Sequence, residues 1–331
     1  MFSERVKYPH IISHRGASGY IPEHSFGAYQ TAIDLQTDYI EPDLCLTKDN
    51  IFVAVHDITL DDVTDVSIKY PERYTTKIIG NKKMSGYFVS DFLYSEIETL
   101  LLKQRLDYRT DFYDYFFKIP TLKNIFDLVQ SSYKSKGAST GLYIELKNPA
   151  YHNTLGFPLS MEDHLISELK SFGYPIKGAD VPQNTSNVLP VIIQCFDENS
   201  LQYLNSITDI PLVQLMDNTH YAYLNTSVID KISTYANGIG PDKNYFEFLD
   251  YNSSMNIINE AHNLNMVVHP WTFRADSGIW PVFNGSFESE LTYFYCCLRV
   301  DGLFIEFPDR YTFFVCFLLL LFFKSRIFIF M

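Results

Sequence analysis

The chain has 331 residues, of which 47% are hydrophobic and 16% aromatic, and it carries a formal net charge of −13 at pH 7. This much apolar material excludes a disordered chain, and the length fits either one large domain with an insertion or two domains. The negative charge argues against a nucleic acid as the main partner, because binding a polyanion requires a concentrated basic surface.

The first ten residues carry charge instead of an apolar core. Glu4, Arg5 and Lys7 all lie in this stretch. A secretory signal requires a continuous apolar run, which this stretch lacks. We therefore expect a cytoplasmic location by default.

Apolar, β-branched runs alternate with stretches of helical period from residue 10 onwards, which is typical of repeated βα units. The predicted strands are His10–His14, Tyr39–Leu46, Leu142–Lys147, Pro190–Cys195, Pro211–Met216, Gly238–Pro241, Met266–Trp271 and Gly302–Glu306. The predicted helices are Ser25–Gln36, Asn124–Lys136, Met161–Phe172, Ser200–Ser206, Val228–Tyr235, Ser254–Leu264 and Phe287–Leu298. Eight such units close a parallel barrel, so we predict an α/β fold of the (β/α)₈ TIM-barrel type.

Local chemistry marks several element ends. Ser25 and the pair Asn199-Ser200 are suitable N-caps for the helices that follow them. Asn50 falls where a tight turn needs a left-handed residue, which Asn tolerates better than most. We therefore expect a turn between the second strand and an extended piece that ends at His56.

Residues 58–119 break the alternation of strands and helices, because Asp and Tyr are scattered through them and no clean barrel strand is visible. The segment is too long for an ordinary connection between a strand and a helix. We predict an inserted subdomain, or lid, after the second strand, whose only role is to shape access to the site.

The C-terminal end differs in composition from the rest of the chain. Residues 313–323 form an uninterrupted apolar run that is too short to span a bilayer, although a helix over 313–330 would be marginally long enough. The alternatives to membrane contact through this tail are a docked core helix and an atypical terminus. We predict a domain over residues 9–309 and an apolar tail over 310–331.

Two carboxylates lie two residues apart in the second strand. Successive strand side chains point to opposite faces, so Glu41 and Asp43 share one face. Like charges this close repel each other unless a cation lies between them or one carboxylate takes up a proton. The spacing therefore suggests a divalent metal held by oxygen ligands.

Polar residues also stand at the carboxyl ends of most predicted strands, where parallel barrels build their active sites. Leaving this many polar groups buried and unpaired would cost roughly several kcal/mol each. We expect one mouth to contain His14, Arg15, Glu41, Asp43, Glu145, Lys147, Gln194, Gln214, His269, Trp271 and Glu306.

An ordered set of short motifs resembles the glycerophosphodiester phosphodiesterase family, in particular its periplasmic-type members. The matching blocks are H-R-G-A at 14–17, P-E-H at 22–24, E-P-D-L at 41–44, T-K-D at 47–49, V-H-D at 55–57, Y-I-E-L-K at 143–147, V-D-G-L-F at 300–304 and F-P-D at 307–309. An ordered set of this kind is far more specific than any single block.

The resemblance implies acid/base catalysis by His14 and His56, metal binding by Glu41, Asp43 and Glu145, and phosphate binding by Arg15 and Lys147. The metal would be a hard cation such as Ca²⁺ or Mg²⁺. A structural alternative for Glu145 is a buried salt bridge with Lys147. Trp271 would pack against the glycerol or the alcohol head group, with cation–π attraction if that alcohol is choline. Gln194 and Glu306 are expected to lie behind the reacting groups.

The implied reaction is hydrolysis of small-molecule glycerophosphodiesters to glycerol 3-phosphate and an alcohol. The residues do not decide which histidine is the acid, nor whether water attacks directly or a glycerol hydroxyl first forms a cyclic phosphate. One alternative activity is phospholipase D-like or lysophospholipase D-like cleavage of membrane lipids, which the apolar tail would suit. Another is a catalytically silent, membrane-tethered barrel.

Overall fold

The computed structural model describes residues 9–174, 177, 189–217 and 224–311. The strands in these residues are β1 (His10–His14), β2 (Tyr39–Glu41), β3 (Asp43–Leu46), β4 (Phe52–Ala54), β5 (Thr75–Ile79), β6 (Lys82–Gly86), β7 (Gly141–Leu146), β8 (Val191–Cys195), β9 (Leu212–Met216), β10 (Gly238–Pro241), β11 (Val267–Val268) and β12 (Gly302–Ile305).

The α-helices in the same residues are α1 (Phe26–Asp34), α2 (Val66–Lys69), α3 (Tyr94–Ile97), α4 (Leu122–Lys136), α5 (Pro149–His152), α6 (Met161–Ser171), α7 (Glu198–Ile207), α8 (Thr226–Ser233), α9 (Tyr251–Asn263) and α10 (Phe287–Thr292). Short 3₁₀-helices span Pro71–Arg73, Val89–Asp91, Lys243–Phe248 and Pro281–Phe283. A π-helix over Tyr293–Leu298 continues α10.

The barrel is a ring of parallel strands in the order β12, β1, β2, β7, β8, β9, β10 and β11. The ring closes between its two ends, because the Asp301 amide donates to the Val268 carbonyl at 3.0 Å and the Phe304 amide donates to the Pro270 carbonyl at 3.1 Å. The predicted (β/α)₈ barrel is therefore confirmed.

The second barrel strand is interrupted at Pro42, which separates β2 from β3 and cannot donate a backbone hydrogen bond. The Pro42 carbonyl still accepts from the Glu145 amide at 2.9 Å, so β7 keeps both pieces in place. Beyond it, β3 pairs antiparallel with β4 in a hairpin that leaves the barrel. Asn50 takes up φ 62° in this hairpin turn, as predicted, and His56 follows β4.

The helix starts show one correct and one wrong prediction. Ser25 caps α1 by accepting from the Ala28 amide at 3.0 Å. The predicted caps of α7 at Asn199 and Ser200 are wrong, since this helix begins earlier and Asp197 caps it. The carboxylate of Asp197 is an N-cap acceptor of the preferred kind, and it serves the amides of both residues predicted as caps.

Inside the barrel, apolar residues on alternate strand positions form a core below the mouth, and Ile12 and Tyr143 belong to this core. Because side chains alternate, the next inward position on each strand lies one layer nearer the mouth. On β1 this position is His14, and on β7 it is Glu145.

Residues 58–119 contribute no strand to the barrel ring. They form the β5–β6 hairpin and short helices around a separate apolar cluster that includes Leu60, Phe88 and Phe92. The segment returns beside its own start, because the Ala54 amide donates to the Pro120 carbonyl at 3.0 Å. We refer to residues 58–119 as the insert.

The predicted domain over 9–309 stays a prediction. Most of the predicted tail lies outside the described residues, which end at Tyr311. Within the described parts of the chain, no helix has both the length and the apolar character needed to cross a membrane.

Candidate active site

A cavity of about 220 Å³ opens at the carboxyl ends of the barrel strands. Most of the residues predicted for the site contribute to its wall. These are His14, Arg15, Glu41, His56, Glu145, Lys147, Gln194 and Trp271. Asp43 lies in the same cluster as Glu41 and Glu145, so the predicted constellation is brought together in one place.

Three buried carboxylates, Glu41, Asp43 and Glu145, each place one oxygen within 4.8 Å of the others. Ligands on opposite sides of Ca²⁺ lie about 5 Å apart, since each Ca–O distance is about 2.3–2.6 Å. The Oδ1 atom of Asp43 is buried and accepts no hydrogen bond from any residue that the structure describes. This free oxygen and the spacing of the three carboxylates fit a divalent cation with oxygen ligands.

The electrostatics of the cluster indicate uncompensated negative charge. Burial, together with the charges of Asp43 and Glu145, raises the pKa of Glu41 well above its usual range. Burial likewise raises the pKa of Glu145 to about 8, although the neighbouring Lys147 opposes this. A dication among these oxygens would favour the ionised form of each carboxylate.

Asp43 is held in one orientation by a chain of buried groups. The His24 Nε2 atom lies 2.9 Å from Asp43 Oδ2, and His24 Nδ1 lies 2.7 Å from the Tyr29 hydroxyl on α1. Burial opposes ionisation of Asp43, but the charge of Lys147 and the hydrogen bond from His24 outweigh it and lower the pKa. With Oδ2 occupied in this way, Oδ1 is the oxygen left for a cation.

Arg15 connects the first strand end to the cluster through both its backbone and its side chain. Its φ of 58° turns the amide towards Glu41, whose Oε2 atom accepts at 2.9 Å. Its guanidinium donates to both Glu23 oxygens at 3.1 Å, and its Nε atom lies 3.3 Å from Asp43 Oδ2. This cation therefore lies next to the carboxylate cluster and faces the cavity.

Glu145 pairs with Lys147, whose Nζ atom lies 2.7 Å from Glu145 Oε1 and 3.9 Å from Asp43 Oδ1. The salt bridge weighed as a structural alternative is thus present. It does not displace Glu145 from the carboxylate cluster, so the ion pair and the cluster share one residue.

Each of the two histidines has a carboxylate behind it. His14 Nδ1 lies 2.9 Å from Glu306 Oε1, and His56 Nδ1 lies 2.8 Å from Asp57 Oδ1. A carboxylate accepts the proton on Nδ1, which leaves Nε2 as the unprotonated nitrogen of the neutral ring. Burial and the charge of Arg15 lower the pKa of both histidines to about 4, so both rings are neutral near pH 7.

The carboxylates behind the histidines are themselves paired with arginines. Arg109 Nη2 lies 2.6 Å from Glu306 Oε2 and Arg105 Nη1 lies 2.6 Å from Asp57 Oδ2. Arg274 adds a third contact, from its Nε atom to Glu306 Oε1 at 2.9 Å. We did not predict any of these arginines from the sequence, because no local pattern links them to residues so distant in the chain.

Two residues expected at the mouth lie elsewhere. Gln214 faces outward from the barrel, where its amide donates to the Phe196 carbonyl at 3.0 Å and its Oε1 accepts from the Tyr235 hydroxyl at 3.0 Å. His269 points inward but one layer too deep, and its Nδ1 lies 2.9 Å from the Tyr143 hydroxyl. The prediction for Gln214 assigned its side chain to the wrong face of the strand. The prediction for His269 assigned the correct face but placed the side chain too near the mouth.

The far wall of the cavity is partly aromatic. Trp271 donates from Nε1 to the Gly240 carbonyl at 2.7 Å, and its ring meets Phe196 edge-on at 5.8 Å. Further wall residues were not predicted. These are Phe196, Leu215, Asp242, Lys243, Asn244, Thr272, Arg274, Gly278 and Phe304. The alternation after Gln194 could have identified Phe196, because it is the next inward position, one residue beyond the end of β8.

Comparison with known proteins yields a consistent set of matches. The sequence profile described as the glycerophosphoryl diester phosphodiesterase family matches residues 14–310. A glycerophosphodiester phosphodiesterase of Arabidopsis thaliana is 33% identical over 318 residues, which is 90% of this chain and 84% of that protein.

Two solved structures share the fold at low sequence identity. A putative glycerophosphoryl diester phosphodiesterase from Silicibacter pomeroyi superposes with a TM-score of 0.67 at 18% identity, covering 96% of both chains. A phosphodiesterase of Oleispira antarctica, solved with its product sn-glycerol-3-phosphate, has a TM-score of 0.61 at 17% identity, covering 93% of this chain and 97% of that one.

Proposed function

This chain belongs to the glycerophosphoryl diester phosphodiesterase family, and from that premise we propose that it hydrolyses glycerophosphodiesters to glycerol 3-phosphate and an alcohol. As a member it is an enzyme of the phosphoric diester hydrolase class. We propose further that the reaction depends on a divalent metal and on a pair of histidines. One observation carries this proposal: the carboxylate cluster and both histidines lie around a single cavity.

Glu41, Asp43 and Glu145 would hold the metal. When bound, a hard dication such as Ca²⁺ or Mg²⁺ polarises phosphoryl oxygens and offsets charge that develops on them. Three carboxylates around a dication leave a net charge of about −1. Arg15 and Lys147 bring that local charge back above zero, which favours capture of the phosphodiester anion.

His14 and His56 supply the proton transfers that cleavage of a phosphodiester needs. Both rings present an unprotonated Nε2 nitrogen when neutral, so either can accept a proton from an attacking oxygen. The leaving alkoxide needs the reverse transfer, from a histidine that has taken up a proton at the same atom. The carboxylates of Glu306 and Asp57 stabilise the imidazolium that forms in each case.

The aromatic wall fits the alcohol or glycerol part of the substrate. Trp271 and Phe196 offer apolar surface, and an aromatic ring next to a choline head group adds cation–π attraction. The product named for the Oleispira antarctica structure, sn-glycerol-3-phosphate, supports the same substrate class for this chain.

The deciding experiment measures hydrolysis of glycerophosphocholine by the purified chain, first with EDTA and then after addition of Ca²⁺ or Mg²⁺. We expect activity to fall to background with EDTA and to return with one of the two metals. Asp43→Asn should prevent this recovery, whereas Asp127→Asn, which removes an exposed carboxylate paired with Lys123, should leave it intact. Full activity in EDTA would refute the metal-dependent mechanism. Preferential cleavage of lysophosphatidylcholine would replace the proposed substrate with a membrane lipid.

A further inference from the structure

The insert sends two arginines to the active site, and each lies behind a different histidine. Arg105 Nη1 is 2.6 Å from Asp57, the partner of His56. Arg109 Nη2 is 2.6 Å from Glu306, the partner of His14. Two residues four positions apart in one loop therefore serve both proton-transfer groups.

We propose that Arg105 and Arg109 are positioning residues that hold His56 and His14 in their reactive orientation by fixing the carboxylates behind them. The inference rests on the proposed function, because it assumes that both histidines transfer protons. It assigns the insert a part in the reaction, where the sequence led us to expect only an effect on access.

The two oxygens of each carboxylate have separate partners. Asp57 uses Oδ1 for His56 and Oδ2 for Arg105. Glu306 uses Oε2 for Arg109, while its Oε1 serves both His14 and Arg274 of the barrel side. A carboxylate held at both oxygens cannot rotate about its terminal bond, so it presents one fixed acceptor to Nδ1 of its histidine. The ring orientation and the tautomer then follow from that acceptor.

The geometry suits arginine and would not suit lysine. A guanidinium is a rigid planar fork that can bind two carboxylates at once, whereas an ammonium is a single mobile point charge. Arg105 donates to both oxygens of Glu23, at 3.0 and 2.9 Å, while it holds Asp57. Arg109 likewise donates to both oxygens of Asp276, at 2.7 and 3.0 Å.

These second carboxylates anchor the arginines to the barrel. Glu23 lies in the loop after β1 and also binds Arg15. Asp276 lies in the loop after β11. The side chain of Arg109 is only 5% exposed and that of Arg105 20% exposed, so water competes little for these contacts. Both arginines of the insert are therefore held by carboxylates that lie outside the insert.

The test compares Arg105→Ala, Arg105→Lys, Arg109→Ala and Arg109→Lys in the full chain with glycerophosphocholine and saturating metal. We expect each alanine variant to lower kcat about tenfold, the scale typical of outer partners of site residues, with KM changed less than about twofold. Lysine should recover part of the loss at each position. Arg73→Ala is the matched control, since this arginine of the insert pairs with Glu96 at 2.8 Å and touches neither carboxylate, so its kcat should not change.

Double variants decide whether each arginine acts through its carboxylate. If Arg105 acts through Asp57, then Arg105→Ala should cause no further loss of kcat in an Asp57→Asn background, and Arg109→Ala should cause none in a Glu306→Gln background. Losses that multiply in the double variants would assign the arginines a merely structural role and overturn the inference. Unchanged kcat in folded alanine variants would overturn it as well.

A second measurement covers variants that fold poorly. Nitrogen-15 spectra of labelled histidines report the tautomer of each ring, and the lysine variants should show a mixture where the parent shows the Nδ1–H form. An unchanged tautomer at both histidines would contradict the inference. His14→Ala and His56→Ala test the histidine roles separately. If they retain full hydrolysis, the proposed proton transfer by these histidines fails, whereas if they lose hydrolysis and the arginine variants keep the kcat of the parent, the inference alone fails.

Discussion

The barrel and the insert contribute to one cavity in different ways. The barrel provides side chains that face the cavity directly, such as Glu41 and Glu145, at regular positions on neighbouring strands. The insert provides Arg105 and Arg109, which reach the two histidines only through an intervening carboxylate. The difference teaches that the strand ends supply side chains that line the cavity, while the insert supplies the arginines that orient the two histidines.

The largest expected effect is at the two histidines, which face the cavity and lie outside the insert. His14→Ala and His56→Ala should each lower kcat by roughly 10²–10⁴-fold, the usual contribution of general acid–base catalysis. Steady-state kinetics with glycerophosphocholine measures this loss.

The matched control for the histidine variants is His262→Ala. This ring also contacts a carboxylate, with Nε2 at 2.9 Å from Asp301 Oδ2, but it does not line the cavity. Its kcat should stay near that of the parent. The comparison would fail if an arginine variant of the insert lowered kcat as much as the loss of either histidine does. The effect of orienting a histidine could then not be distinguished from the effect of its proton transfer.

A smaller effect should come from the contact between barrel and insert when the pH falls. His152 of α5 is buried, and among the described parts of the chain no group forms a hydrogen bond with either ring nitrogen. Burial together with the charge of Lys77 on β5 lowers the pKa of His152 to about 4. The unfolded chain binds this proton near pH 6.5, so the free energy of unfolding should fall as the pH drops from about 6.5 towards 4. The shift corresponds to roughly 2–4 kcal/mol for one group.

Urea unfolding between pH 7 and pH 4 measures this dependence. His152→Leu should reduce the pH dependence of the free energy of unfolding, because an apolar side chain of similar size takes up no proton. His164→Leu is a control on the neighbouring helix α6, where the ring contacts Glu168 at 3.2 Å. An unchanged pH dependence in the His152→Leu variant would show that protonation of this ring does not control the contact.

The smallest effect is expected at the aromatic wall. Trp271→Ala should raise KM for glycerophosphocholine about two- to thirtyfold with little change in kcat, since cation–π contacts contribute about 0.5–2 kcal/mol. Trp271→Phe should raise KM less than Trp271→Ala does. The same pair of variants assayed with glycerophosphoglycerol sharpens the result, because a head group without a cation should show a smaller difference in KM.

The barrel and much of its mouth could be predicted because strand alternation is a local property. Glu41 and Glu145 each lie two residues beyond a core residue of the barrel interior, so a period of two places them correctly. The same rule, applied with the correct phase, would have excluded Gln214. It cannot measure depth, which is why His269 was expected at the mouth and lies one layer below it.

The arginines of the insert could not be predicted, because their partners are set by tertiary contacts. Arg105 is 48 residues from Asp57, and Arg109 is 197 residues from Glu306. The sequence around them shows no period that would fix a direction for either side chain. Charged residues in such a stretch are usually solvent-exposed, and only the folded chain shows these two to be largely buried.

The hydrogen bond between Ala54 and Pro120 has a consequence for engineering and for divergence of the chain. Because the insert begins and ends at neighbouring points beside β4, the length of the insert is independent of the spacing of the barrel strands. A shorter or longer graft could be spliced there without redesigning the scaffold. Any replacement segment would still need two guanidinium groups placed to bind Asp57 and Glu306, the carboxylates that contact the two imidazole rings.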